Sequence, residues 1–404
     1  MSQTVNRNRL FIGSCFALIT TSMAFGIRAG VLTQLGAEFQ LDSEHLGYVN
    51  QMAFLGFPIA MIIGGPLYNV LGPKKIVWVA FITHVLGLVL TIFSSGFWSL
   101  LISTFFVGFG NGTVEAACNP MISDMFEGNE KTKMLNRFHM WFPGGIVIAS
   151  LLSEFMTSAG MGWQIQIGII LIPALAYAFT FLGQAFPESQ DEGAISTGEN
   201  FKAMLSPLYI FMLVCMALTA ISEFGPEQWI GPVLGKAGAS PMLILALVTG
   251  LMAVGRYFAG PIVHRFNPTG VLLGSAIFAT IGVVLMAQAT GPMVYVSAVI
   301  FAIGVCYFWP TMIGFVAENL PRTGAFGLSI LGGMGMFSTS IFQPIIGKWL
   351  DDEKAAAGAK GLTGNDLELA AGQATLDNMA VFPFILILAF IALFFIMRKR
   401  QAAH

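Results

Sequence analysis

The chain has 404 residues, of which 56% are hydrophobic and only 10% are charged. A hydrated exterior of this size needs many more Lys, Glu, Asp and Arg, so water is excluded as the solvent for most of the surface and lipid takes its place. The formal net charge of −2 excludes nucleic acid as a partner, because phosphate binding needs a concentrated basic surface.

A helix crosses about 30 Å of hydrocarbon with about 20 largely apolar residues. Twelve stretches of that kind follow one another: Leu10–Leu32, Leu46–Val70, Ile76–Ser95, Trp98–Met121, Phe138–Ser158, Ile165–Phe186, Pro207–Leu234, Pro241–His264, Thr269–Gln288, Pro292–Ala317, Gly324–Trp349 and Asn378–Met397. The first is too long for the apolar region of a cleavable signal peptide and is expected to remain as the first helix. Cys15, Cys118, Cys215 and Cys306 all fall inside apolar runs and read as small core residues. The predicted class is an all-α membrane protein of twelve transmembrane helices in two pseudo-symmetric six-helix bundles, residues 1–186 and 207–404. Residues 187–206 between them are polar and rich in Gly, Ser and Thr, and read as a cytoplasmic linker. The stretch from Asp351 to Asp377 is Ala/Gly-rich and is expected to be an external loop with at most a short surface helix.

Lys and Arg near helix ends are retained on the cytoplasmic side. One face carries Arg7, Arg9, Lys74, Lys75, Lys131, Lys133, Arg137, Lys202, Arg265, Arg322, Arg398, Lys399 and Arg400, the other only Lys236, Lys348, Lys354 and Lys360. This bias predicts a multi-pass protein of the cell inner membrane with both termini cytoplasmic. Membrane lipid is then an obligate neighbour, and a monomer is expected.

After the second segment, Gly65-Pro66-Leu67-Tyr68-Asn69-Val70-Leu71-Gly72-Pro73-Lys74-Lys75 forms a short turn, and Gly260-Pro261-Ile262-Val263-His264-Arg265-Phe266 resembles it after the eighth. Matching turns in two halves are the mark of a duplicated unit. The chain resembles the major facilitator superfamily of transporters, whose loop signature reads Gly, any, Leu, any, Asp, basic, any, Gly, basic, basic; Asn69 stands here for the Asp and Pro73 for a basic residue. Within the superfamily it is similar to the fucose permease-like branch of sugar symporters, through Gly110-Asn111-Gly112-Thr113-Val114-Glu115-Ala116-Ala117-Cys118-Asn119-Pro120, through Leu135-Asn136-Arg137-Phe138-His139 with Gly144-Gly145, and through Phe308-Trp309-Pro310-Thr311. The resemblance implies alternating access and coupling to a proton or sodium. Fucose transporters of that branch carry an acid on the first helix where this chain has Phe25-Gly26-Ile27-Arg28-Ala29-Gly30.

An ionisable side chain at the centre of a membrane helix costs at least about 2.5 kcal/mol, so each one is a functional candidate. Glu115 is the candidate coupling acid, with Asn111 and Asn119 one turn away on either side; the bland alternative is a fixed ion pair. Arg28 needs a counter-charge, which can be a carboxylate or phosphate on the solute or one of Glu115, Glu223 and Glu227. In the seventh segment Gly225-Pro226 is expected to break the helix and present Glu223, Glu227, Gln228 and Trp229, two acids, an amide and an indole that suit a hydroxyl-rich solute. His139, Trp141, Tyr307 and Trp309 complete the candidate binding set, against the alternative of packing residues and interfacial anchors. Glu154 can pair within the bundle or lie near its external end. Arg256, His264 and Arg265 read as cytoplasmic-side locks.

The leading reading is secondary active uptake of a sugar or similar polar solute. The second keeps the fold and makes the solute an organic anion, such as a sugar acid, whose carboxylate meets Arg28. A third class is a non-transporting membrane sensor or lipid-handling protein. Enzyme function is not expected: no nucleotide-binding loop, metal-ligand spacing or nucleophile–base pair is present, and the only cofactor-like species implied is the coupling H+ or Na+.

Overall fold

The computed structural model describes residues 5–188 and 197–402. Among them eleven helices are long and apolar enough to cross a membrane, and a twelfth, Pro241–Tyr257, is apolar but shorter. In chain order they are α1 (Arg7–Phe39), α2 (Ser43–Leu71), α3 (Pro73–Ile92), α4 (Phe97–Met125), α5 (Lys133–Ser158), α6 (Trp163–Phe181), α7 (Pro207–Gln228), α8 (Pro241–Tyr257), α9 (Arg265–Gln288), α10 (Met293–Asn319), α11 (Gly324–Ala359) and α12 (Gly364–Arg398). Large apolar side chains cover the outside, among them Ile62, Phe93, Trp98, Phe155, Ile172 and Phe179. Such a surface is stable in hydrocarbon and not in water.

The helix starts are written locally. Asn6 accepts a hydrogen bond from the backbone of Arg9 ahead of α1, and Ser206 and Ser240 do the same ahead of α7 and α8, each followed by a proline whose missing N–H costs nothing there. Gln40 closes α1 in a left-handed conformation. Between α8 and α9 the chain passes through Ala259 to Phe266 as helix, and Asn267, at φ 53° and ψ 162°, breaks it.

Two compact units result. The first contains the chain through Leu41 and from Tyr48 to the linker. Its core gathers Leu10, Leu18, Tyr68, Val77, Val114, Met121, Phe138, Tyr177 and Phe181. Tyr68, inside the loop signature, donates to Asp124 at 2.7 Å, and Arg9 ties α1 to the Thr180 carbonyl at 2.9 Å. The second unit holds the chain after the linker and takes in Asp42–Gly47. The backbone N–H groups of Ser43 and Glu44 donate to the Asp351 carboxylate at 3.2 and 2.9 Å.

Two expectations about element ends change. The segment from Asp351 to Asp377 is mostly helix: α11 continues to Ala359 and α12 starts at Gly364. At 36 residues and a rise of 1.5 Å each, α11 is about 54 Å long, well beyond the hydrocarbon. Part of the linker, Thr197–Met204, is also a short helix.

Glycines set the spacing of α2 and α4. A Cβ at Gly108 would lie 2.2 Å from the Ala53 carbonyl oxygen, and one at Gly112 would lie 2.1 Å from that of Phe57. Lipid tails are as apolar as the helices, so close backbone approach rather than water exclusion holds such a pair together. Gly108→Ala and Gly112→Ala are each expected to cost about 1–3 kcal/mol, read as a lower Tm of detergent-solubilised protein. Gly65→Ala, where an added Cβ meets nothing within 4 Å, should leave Tm in place; equal behaviour of all three would remove the packing argument.

Candidate functional site

In the second unit, α7 carries Ser222 to Gln228 with every side chain buried. The helix runs through Gly225-Pro226 rather than breaking there. The break falls at Trp229 (φ −101°, ψ 9°), and a single turn, Ile230–Leu234, follows. Membrane helices tolerate an internal proline when neighbours satisfy the freed groups, so the sequence rule placed the break three residues early. Glu223, Glu227, Gln228 and Trp229 are 3%, 2%, 2% and 0% exposed. The Trp229 indole donates to Gln343 of α11 at 2.9 Å.

Arg256, in the last turn of α8, is held by two neighbouring helices. Its Nη2 lies 3.3 Å from Glu223 Oε1, and its Nε donates to the Cys306 carbonyl in α10 at 2.9 Å. That carbonyl is open because Pro310, four residues on, has no N–H to donate to it; α10 is interrupted at Cys306 and Tyr307, just before Phe308-Trp309-Pro310. Tyr307 donates to the Gly255 carbonyl at 3.1 Å, fixing the same α8–α10 contact. Trp309 meets Phe224 edge-on at 6.4 Å between centroids. Six predicted residues, Glu223, Glu227, Gln228, Trp229, Tyr307 and Trp309, thus share the region around α7 with Arg256.

In the first unit, Arg28 of α1 is 5% exposed. Its guanidinium sits over the rings of Phe25 and Phe54, 4.9 and 5.6 Å from their centroids, a geometry in which the ring quadrupoles stabilise the cation. It also lines a small cavity of about 30 Å³ with Ala24, Leu35, Val49, Thr91 and Thr104. On α4, Glu115 accepts a hydrogen bond from Asn119, while Asn119 Oδ1 is buried with no hydrogen-bond partner among the described residues. Asn111 turns to α3: its Oδ1 lies 2.9 Å from His84 Nε2, and His84 Nδ1 lies 3.1 Å from the Tyr177 hydroxyl. His139 is exposed at the end of the helical stretch Gly128–His139, beside Phe138. Trp141 lies two residues further on in α5, past Met140, whose backbone stays helical, and packs on the core of this unit.

The sequence profile of the Major Facilitator Superfamily matches residues 10–344. The chain belongs to the Major Facilitator Superfamily. Its members are transporters, so this chain is not an enzyme. The chain is 22% identical over 151 residues to myo-inositol transporter 1 of Candida albicans, covering 37% of this chain and 27% of that one. It is 26% identical over 165 residues to the D-xylose transporter of Levilactobacillus brevis, covering 41% and 35%. These matches span about a third of the relatives' length. The crystal structure of a D-xylose–proton symporter superposes with a TM-score of 0.76 at 16% identity, covering 95% of this chain and 96% of that one; at that identity the likeness establishes the fold.

Within this superfamily member, His84 is the residue that sequence reading missed in the first half. It is wholly buried on α3, and nothing in its local pattern, Phe81-Ile82-Thr83-His84-Val85, distinguishes it from packing. Its signal lies across helices: Gly110 leaves the space that the ring fills, since a Cβ there would lie 2.4 Å from the imidazole. His84→Leu strands Asn111 Oδ1 and the Tyr177 hydroxyl in a dry core. The expected cost is about 1–3 kcal/mol, read as a lower Tm. The double variant His84→Leu with Asn111→Leu should lose less than the sum of the two single variants, and strict additivity would show that the two side chains are not coupled.

Proposed function

We propose that this superfamily member is a secondary active transporter that takes up a sugar or sugar-like polar solute by alternating access, coupled to a proton or sodium. The observation that carries the reading is the buried set on α7, two carboxylates, an amide and an indole at a helix interruption, a composition fitted to hydroxyls and to the apolar face of a sugar ring. The names of the D-xylose and myo-inositol relatives support the same solute class. The fucose permease-like branch is the sub-family this reading favours, with Glu115, held by Asn119, as a coupling acid.

In this reading residues 1–186 and 207–404 are the two moving halves and residues 187–206 the cytoplasmic linker. The protein lies in the cell inner membrane as a monomer, with both termini cytoplasmic, and uses no organic cofactor or metal. Arg28 favours a second reading, because a guanidinium buried on the first helix suits a solute carboxylate through its fork of donors.

Counterflow in proteoliposomes with D-xylose, D-glucose, myo-inositol and D-glucuronate, at two pH values and with and without sodium, separates these readings. Exchange of the neutral solutes is expected, with Gln228→Ala weakening half-saturation about tenfold, the loss of one hydrogen bond of about 1.4 kcal/mol. Arg28→Gln should spare neutral solutes. Selective loss of D-glucuronate in that variant establishes the anion reading, and absence of flux for every solute under every gradient establishes a non-transporting protein.

A further inference from the structure

The second half holds two acids and one matched cation at one place. Glu223 and Glu227 are four residues apart on α7 and so share a helix face. Both are buried, at 3% and 2% exposure. Arg256 is committed to one of them: Nη2 meets Glu223 Oε1 at 3.3 Å while the Cys306 carbonyl holds Nε at 2.9 Å. A guanidinium pinned at two atoms by two different helices is a fixed counter-ion for Glu223. Glu227 Oε1, in contrast, is buried with no hydrogen-bond partner among the described residues.

The charges that bear on Glu227 are those of Glu223, on its own helix, and Arg256, from α8. Among the described residues, the charges nearest that level on the other helices packed on α7 are Lys348 of α11, next to Gly347 at the Trp229 ring, and Asp377 of α12, two residues before Met379; both side chains are exposed. The charged side chains of α11 begin at Lys348 and continue through Asp351, Asp352, Glu353 and Lys354 at its far end. Those of α12 are Asp366, Glu368 and Asp377 in its opening turns and Arg398 near its close, and α10 has only Glu318, next to its last residue. Cys306 and Tyr307 are the remaining titratable neighbours on α10, engaged with the carbonyls of Met252 and Gly255.

We propose that Glu227 is a proton-carrying carboxyl of the second half, a site additional to Glu115, and that its proton is exchanged with water during the transport cycle while Glu223 and Arg256 remain a fixed pair. Two carboxylates beside one guanidinium leave one negative charge in a dry site, and a buried carboxylate without a partner is far costlier than a neutral carboxyl. Arg256, locked between Glu223 and Cys306, cannot supply the second neutralisation, and its own positive charge disfavours a metal cation there. The step is a simple one: the Glu227 oxygen takes a proton from hydronium when the site is hydrated and returns it when water next enters, with no other bond changed. The use of this proton in coupling rests on the transport reading above; its presence does not.

The test is infrared difference spectroscopy of the full chain in detergent through an acid-to-alkaline titration, following the protonated-carboxyl C=O stretch. The wild type should show a component that Glu227→Gln removes, and Arg256→Gln should add a second component as Glu223 loses its counter-ion. Persistence of the full signal in Glu227→Gln overturns the proposal. Should Glu227→Gln not fold, Glu227→Asp should shift the same component, and an unshifted band is equally fatal. In proteoliposomes, Glu227→Gln should lose proton-driven accumulation of D-xylose, and undiminished accumulation refutes the role in coupling. Failure of the wild type to move any tested solute would count against the transport reading and leave the infrared result standing.

Discussion

Hydrocarbon offers no hydrogen bonds, and that constraint governs where the polar groups of this fold can be. A hydroxyl in a membrane helix must find an acceptor within reach, so Ser14, Ser22, Thr91, Thr113, Thr249 and Thr375 each donate to the carbonyl one turn back on their own helix. These bonds satisfy the side chain without help from another helix. Larger polar groups need partners across helices: the Trp229 indole takes the Gln343 amide, His84 takes Asn111 and Tyr177, and Arg256 takes Glu223 and a carbonyl left open by Pro310 in α10. Each of these bonds also fixes which helix faces which.

The same solvent removes the hydrophobic drive for helices to associate with one another, so shape carries more of the load. The close approaches at Gly108 and Gly112 in the first unit have counterparts in the second, where a Cβ at Gly282 would lie 2.4 Å from Phe301 and one at Gly304 would lie 2.2 Å from Ala279. Packing and polar pairing are coupled through such positions. Gly110 lets α3 bring His84 to Asn111, and Gly255 leaves room for Cys306 and Tyr307.

The helices were legible in the sequence because each is a run of apolar residues of fixed minimum length, a property of a single segment. Breaks at Trp229 and at Cys306-Tyr307 were less so: proline marks a missing donor, and whether the helix then opens depends on neighbours that the sequence does not place. The candidate site was legible in part for the same reason. Glu223, Glu227 and Trp229 stand out as polar or aromatic residues inside an apolar run, whereas Arg256, near a segment end, looked like one more retained cation. Its pairing with Glu223 depends on the rotation of α8 about its axis, which a run of apolar residues all round the helix does not encode. His84 was missed on the same ground, and Asn111, read together with Glu115, turns away from it to serve α3.

The two halves share an architecture and hold their buried cations by different physics. Arg28 lies on aromatic faces, an interaction that uses the flat side of the guanidinium and leaves its charge without full neutralisation by the rings. Arg256 lies against a carboxylate, which cancels its charge outright. The second environment, having one more acid than cation, is left negative unless a proton is added. Duplication of a six-helix unit therefore fixes the frame, and the chemistry each half brings to it is set by a few buried side chains that fold likeness does not transmit.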